Sequence, residues 1–328
     1  MQKSRSVTRR VLIAGAAASV VAAPGIVRAQ AKFPDRPVKL IIPWAPGGPA
    51  DGGFRILAEL AAKKLGQPVV VENKAGASGV LGAIALQAEK PDGYTISQMH
   101  MSVLRQPLLN KSLIYNPIND LSYILQITGF VMGIVVRTEA PWKTLPELIA
   151  YAKANPGKLN WATITGFFDF VFDGFQKKMG LQIEKVPYRN TVQAATDLAE
   201  GRIQLMMSAY AILRPHVDSG KLKLLAITAS QRASMLPDVP TVGEAGFPDV
   251  TIDGLVGLFG PKEMAPAVRE RIAADVRDVL ADPMIVQRLT ATGQVVNPGG
   301  PQEFAQAMEK QHAQAAEAGR ILGIKAAQ

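Results

Sequence analysis

The residues with the clearest chemical potential are Pro43-Trp44-Ala45-Pro46-Gly47-Gly48-Pro49-Ala50-Asp51, which follow the apolar run Val38-Lys39-Leu40-Ile41-Ile42. A glycine-bearing turn that enters a helix leaves backbone N–H groups without intrahelical partners, and such groups bind anions. Asp51 is placed to cap a helix predicted over 52–65, where Phe54, Leu57, Leu60 and Ala61 recur at helical spacing. Two readings stand side by side: an anion-binding turn, or a strand-to-helix loop stiffened by its prolines.

Other reactive side chains do not assemble into a known catalytic pattern. His100, His216 and His312 are far apart and none has a second ligand at i+4, so no metal site is expected. His312 lies on a charged helix and is expected to be solvated. Gly76, Gly79 and Gly82 lack the G-x-G start of a dinucleotide fingerprint and a ribose-binding acid, and read as close packing at a helix start. No G-x-S-x-G, S-x-x-K or phosphate-loop motif is present, so neither a nucleophile nor a cofactor is expected. Asp169 and Asp173 share a helix face at i, i+4 and read as solvated or hydrogen-bonded surface acids in preference to an acid–base pair. In Phe167-Phe168-Asp169-Phe170-Val171-Phe172, Phe172 and the later Phe175 read as core. Phe167 and Phe168 follow Gly166 at a strand-to-helix junction like the first one, and there binding and packing both fit.

These residues must be positioned by alternating strands and helices. Strands are predicted over 38–42, 69–71, 94–97, 123–127 and 133–136, with a helix from 76 to 90 and a turn at Pro91-Asp92-Gly93. This βα rhythm predicts a mostly parallel, doubly wound sheet. Thr144 caps a helix that Asn155-Pro156-Gly157 ends. A second α/β unit covers 159–251, with strands over 160–163, 184–186, 205–208 and 222–228. The chain then returns to strand over 254–259 and ends in helices over 266–280, 283–290 and 302–320. If the 254–259 strand rejoins the first sheet, the chain crosses twice between two domains, and two crossovers make a hinge over a cleft.

The first thirty residues read as an export signal rather than structure: Lys3, Arg5 and Arg9-Arg10 precede an apolar run over 11–27, and no acid occurs before Asp35. Thr8-Arg9-Arg10-Val11-Leu12 resembles a twin-arginine signal, with general secretion as the alternative. Cleavage after Ala29 or Ala31 would remove Lys3, Arg5, Arg9, Arg10 and Arg28, and the net charge would fall from +9 to +4. The destination is the periplasm. The remaining basic residues form no run interleaved with aromatics, so no nucleic-acid partner is expected, and the mild positive charge suits small acidic ligands. The absence of cysteine excludes disulfides, Fe–S clusters and thiol catalysis.

Across nearly the whole mature chain the sequence resembles the Bug-type extracytoplasmic receptors of tripartite tricarboxylate transporters. The resemblance is carried by Phe33-Pro34-Asp35-Arg36-Pro37, by Pro46-Gly47-Gly48 with Asp51, by Val71-Glu72-Asn73-Lys74-Ala75-Gly76 and by Pro91-Asp92-Gly93-Tyr94-Thr95. Further on it includes Tyr151-Ala152-Lys153-Ala154-Asn155-Pro156-Gly157-Lys158-Leu159-Asn160, Val186-Pro187-Tyr188 and Leu236-Pro237-Asp238-Val239-Pro240-Thr241-Val242-Gly243-Glu244-Ala245-Gly246. It implies a type II periplasmic-binding-protein fold: two α/β domains (30–129 with 253–328, and 130–252), a hinge, and a cleft that holds one organic anion for a membrane permease, without catalysis. It implies ligand contacts at Trp44, Ala45, Pro46, Gly47, Gly48 and Asp51. From the opposite domain it implies Thr163, Thr165, Phe167, Phe168, Asp169, Arg189 and Asn190, with Ser102 and Ser208 nearby.

Departures from the family pattern bear on the ligand. The usual small-residue loop is here Thr165-Gly166-Phe167-Phe168-Asp169-Phe170, the usual Lys-Gly is Arg189-Asn190, and a frequent aspartate is Ser208. Loss of that acid argues against an ammonium-bearing ligand. More aromatic wall with an available guanidinium suggests a carboxylate with an apolar or aromatic body, or a dicarboxylate. The expected protein is a monomeric periplasmic receptor that delivers a small organic carboxylate to permease subunits. The alternatives are a ligand-sensing domain for a signalling partner and an exported enzyme on the same fold.

Overall fold

The computed structural model describes residues 33–47, 49–76, 79–110, 113, 115–163, 167–188, 190–291 and 294–324. The expected export signal lies outside the described residues. From β1 (Val38–Ile42) the chain enters α1 (Pro49–Leu65), then β2 (Val69–Asn73), α2 (Leu81–Leu86), β3 (Thr95–His100), α3 (Ser102–Leu109) and β4 (Leu121–Phe130). It continues through β5 (Met132–Arg137), α4 (Leu145–Ala154), β6 (Leu159–Thr163), α5 (Phe167–Met179), β7 (Ile183–Pro187), α6 (Thr191–Ala199), β8 (Leu205–Ala209), α7 (Tyr210–Asp218) and β9 (Leu222–Ile227). It ends with β10 (Gly254–Pro261), α8 (Pro266–Leu280), α9 (Pro283–Ala291), β11 (Gln294–Gly299) and α10 (Pro301–Leu322).

These strands form two sheets, one ordered β11-β4-β10-β3-β1-β2 and the other β7-β6-β8-β5-β9. The expectation of a mostly parallel sheet is corrected: both sheets are mixed. In the first, β1 is parallel to β2 and β3, but β10 is antiparallel to β3 and β4, and β11 to β4. The reason is geometric. The chain leaves the first sheet at Phe130 and re-enters it at Gly254, the residue paired with Phe130, so the returning strand must run opposite to the one that left. In the second sheet β5 is antiparallel to β8 and β9, whereas β6 is parallel to β7 and β8.

Local chemistry explains where elements start and stop. Thr144 accepts a hydrogen bond from the Glu147 N–H at the start of α4, as its sequence position predicts. The α10 helix begins with Pro301 at its first turn and stops at Gly323, which adopts the left-handed conformation (φ 78°). The α2 helix ends at Leu86, short of the predicted 90. His312 on α10 is half-buried rather than solvated, and burial lowers its pKa.

Each sheet buries both faces. Under one face of the first sheet Leu40, Ile42 and Leu258 meet Phe54 and Leu57 of α1 and Ile272 and Val276 of α8. On the second sheet Trp161 packs edge-on against Phe172 at 4.7 Å in one core, and Ala194, Leu198 and Leu213 cover the opposite face. Full burial of one such large side chain contributes about 1.5–3 kcal/mol. The remaining core joins the two sheets' helices: Phe304 and Met308 of α10 and Leu104 of α3 share it with Phe167, Phe170 and Val171 of α5. Among the described residues no helix is long and apolar enough to cross a membrane.

Candidate functional site

Strand ends of the first sheet converge on a cavity of about 260 Å³, lined by Trp44 after β1, Gln98 and His100 at the end of β3, Met101, Phe130 at the end of β4, Gly254, Leu255 and Val256 of β10, Gln294 of β11 and Phe54 of α1. Phe168, from the first turn of α5 beside the second sheet, also lines it. The cavity therefore draws on both sheets' elements. Ligands of α/β folds bind at such strand ends.

The Trp44 indole is fixed on three sides. It stacks on the His100 ring at a centroid distance of 4.9 Å and an interplanar angle of 4°, and its Nε1–H donates to Gln98 Oε1 at 3.1 Å. Its ring edge lies against Gly79, where a Cβ would stand 3.0 Å from the indole and where φ is +88°, so glycine is required there twice over. His100 Nδ1 accepts the Ser102 N–H at 3.0 Å, which leaves the imidazole proton on Nε2. Burial lowers the His100 pKa to about 4, so the ring is a neutral donor at physiological pH. Ser102 Oγ is buried without a hydrogen-bond partner.

Asp51 does different work from that expected of it. It lies within the first turn of α1, 2% exposed, and its carboxylate accepts from the Gly47 N–H (2.9 Å), Arg55 Nε (2.9 Å) and Asn73 Nδ2 (2.7 Å). Asn73 Nδ2 also donates to the Trp44 carbonyl at 3.0 Å. The hydrogen bond from Arg55, followed by those from Asn73 and Gly47, lowers the Asp51 pKa to about 2 against the cost of burial. Asp51 thus lies inside α1 instead of capping it, and it latches the 43–47 loop to α1 and β2 through Gly47, Arg55 and Asn73. Ala45, Pro46 and Gly47 are exposed on the loop so held.

The remaining sequence-predicted residues divide. Trp44 and Phe168 meet at the same cavity. Phe167 is 4% exposed in the core shared with α10 and lies edge-on to Phe168, because the first turn of α5 points one of two consecutive rings inward. Asp169 is buried and Asp173 half-buried, and both accept hydrogen bonds from Lys185 Nζ, at 3.1 and 2.5 Å, which is the hydrogen-bonded alternative expected for them. Asn190 caps α6 by accepting from the Val192 and Gln193 N–H groups. Ser208 is buried in β8 opposite Gly133. Thr163 ends β6. Gly48, Thr165, Arg189 and the side chain of Thr163 lie outside the described residues.

Gln98, Met101, Phe130 and Gln294 were not singled out from the sequence, and His100 was weighed only as a metal ligand. Position was the available signal, since His100 and Phe130 end strands. Among the described residues no group of acids and histidines could hold a metal ion. The described wall combines aromatic and aliphatic surface with amide and imidazole donors. Such a surface can hold an anionic head by neutral donors and an apolar body by contact.

Comparison with known proteins bears on this arrangement. The family described as "Tripartite tricarboxylate transporter family receptor" matches residues 53–323. A relative from Cupriavidus necator, "UPF0065 protein in gbd 5'region", is 38% identical over 274 residues, 83% of each chain. A TctC solute-binding protein from Polaromonas superposes with a TM-score of 0.81 at 26% identity, over 88% of this chain and 99% of that one. The R. palustris protein Rpa4515 with adipate superposes with a TM-score of 0.67 at 25% identity, over 89% and 99%. The two-sheet α/β architecture is therefore that of the periplasmic solute-binding proteins.

Proposed function

Because the chain belongs to the receptor family of the tripartite tricarboxylate transporters, we propose that it captures a small organic acid in the cavity between its two sheets and presents it to a membrane permease from the periplasm. The two bodies that close on the acid are residues 30–129 with 253–328 and residues 130–252. The carboxylate meets the donors of the loop at Trp44, of Gln98 and of His100, while the body lies against Phe168, Phe130, Met101 and Leu255. The single observation behind this reading is a cavity built at the strand ends of one sheet and walled by Phe168 from the other sheet's helix. At about 260 Å³ it falls just below the roughly 300–1,000 Å³ of pockets that take drug-sized ligands, which favours a small acid.

The wall supports an aromatic or long aliphatic acid over a compact hydroxylated one. The similar R. palustris protein was solved with adipate, a six-carbon diacid with an apolar middle. Among the described residues the cavity wall offers a neutral imidazole and amides and no base paired with a nucleophile, which supports binding without turnover. Calorimetric titration with benzoate, adipate and malate tests the reading. Acids with apolar bodies should bind one per chain and more tightly than malate, and Phe168→Ala should remove that preference. Equal binding of all three acids by parent and Phe168→Ala would overturn it.

A further inference from the structure

Gln98 and His100 can each donate and accept hydrogen bonds, yet the protein uses the acceptor of each internally. They stand two residues apart on β3, so their side chains share the face that lines the cavity. The Trp44 indole carries only a donor, so the Gln98 atom 3.1 Å from its Nε1 is the amide oxygen, and the Nε2 group is the end left over. The Ser102 backbone N–H is likewise only a donor. The His100 Nδ1 that accepts it at 3.0 Å is therefore unprotonated, and the proton of the ring is on Nε2. Neither Gln98 Nε2 nor His100 Nε2 has a partner among the described residues. Gln98 is 2% exposed, and a buried amide N–H without an acceptor is costly. The Trp44 ring cannot turn to release it, being held between the parallel His100 ring and Gly79.

We propose that Trp44 and Ser102 are positioning residues that fix the hydrogen-bond polarity of the cavity wall, and that Gln98 is the residue that reads the ligand's head group. With both acceptors occupied, Gln98 and His100 present donors only. A carboxylate accepts at both oxygens and suits such a wall. A carboxamide of the same shape has one acceptor and turns its own N–H donors towards a donor, and an alkylammonium has no acceptor at all. The selection is made by the orientation of an amide and a ring and not by a counter-charge, and the Trp44 N–H acts in it through Gln98 because its one hydrogen is already committed. This inference rests on the cavity being the ligand site.

Calorimetric titration at pH 8 compares adipate with adipamide, which has the same carbon chain and a carboxamide at each end, in the parent, Trp44→Phe and Gln98→Glu. The parent should bind adipate about tenfold more tightly than adipamide, and equal affinities would overturn the proposal. Trp44→Phe keeps a ring beside His100 but frees the Gln98 oxygen, so the amide can turn to serve either head group and the ratio should fall to about twofold. A merely structural loss weakens both ligands alike and leaves the ratio where it was, so an unchanged ratio in Trp44→Phe overturns the proposal. Should Trp44→Phe fail to fold, Gln98→Glu keeps an acceptor for Trp44 and replaces the donor end by a second acceptor. The preference should then reverse towards adipamide, and a preference for adipate equal to the parent's overturns the proposal. Phe168→Ala separates this inference from the reading beneath it. If Phe168→Ala weakens adipate while Trp44→Phe leaves the ratio unchanged, the polarity role falls alone. If Phe168→Ala leaves adipate bound as in the parent, the cavity reading falls and the polarity role falls with it.

Discussion

Replacing Asp51 by asparagine tests the latch beneath the candidate site. The native carboxylate accepts from Gly47, Arg55 and Asn73, and its pKa drops from the ordinary 3.8 to about 2. At about 1.4 kcal/mol per unit the shift corresponds to about 2 kcal/mol of stability at neutral pH. Because the folded value lies below the unfolded one, the contribution is complete above about pH 4 and is lost as pH falls towards 2. At pH 3 roughly half of it, about 1 kcal/mol, should remain. Urea denaturation of parent and Asp51→Asn at pH 7 and pH 3 measures both values. The expected result is a gap of about 2 kcal/mol at pH 7 that narrows at pH 3. An equal gap at the two pH values would refute the claim that the charge of Asp51 does the holding, and no gap at either would refute the latch.

Three further outcomes are expected. Phe168→Ala should weaken an aromatic acid by about 0.5–1.5 kcal/mol beyond the lost area burial, with little change in malate affinity by calorimetry. A loss of thermal stability with unchanged ligand preference would make Phe168 a packing residue. Gly254→Ala places a Cβ within 2.6 Å of the Phe130 backbone N and O, so it should cost about 1–3 kcal/mol in urea denaturation and weaken binding by distorting the β10–β4 wall. Burial holds the His100 pKa near 4 instead of 6.5, so the ring stays neutral down to about pH 5. Adipate affinity should then be flat between pH 8 and pH 5, and a tenfold rise as pH falls through 6.5 would show that the ring binds the acid as a cation.

The elements that hold the site were readable where one signal dominated. Five consecutive strand residues of β1, broken by Pro43 and Pro46, placed the first strand and its loop, and Thr144 placed α4. The β11 strand was missed because Gln294, Asn297, Pro298 and Gly299 leave only two apolar residues in it, and α3 because Pro107 interrupts its pattern. The direction of β10 is not encoded in its composition at all; it follows from where the chain re-enters the sheet. Asp51 illustrates the limit for the site. Its spacing before a helix reads as a cap, but Asn73, a partner twenty-two residues away, and Arg55 turn the carboxylate into a latch. Phe167 and Phe168 are identical in type and adjacent, and only the packing of α5 decides that one fills the core and the other faces the cavity. Gln98, His100 and Gln294 come together through strand order alone.

Native mass spectrometry of the protein purified undenatured from the periplasm of an expressing bacterium tests the central claim most directly. The account predicts one small organic acid retained per chain, released unchanged on denaturation and replaced one for one by an added acid with an apolar body. A chain that retains no acid and forms no one-to-one complex with any of a panel of mono- and dicarboxylates would contradict it.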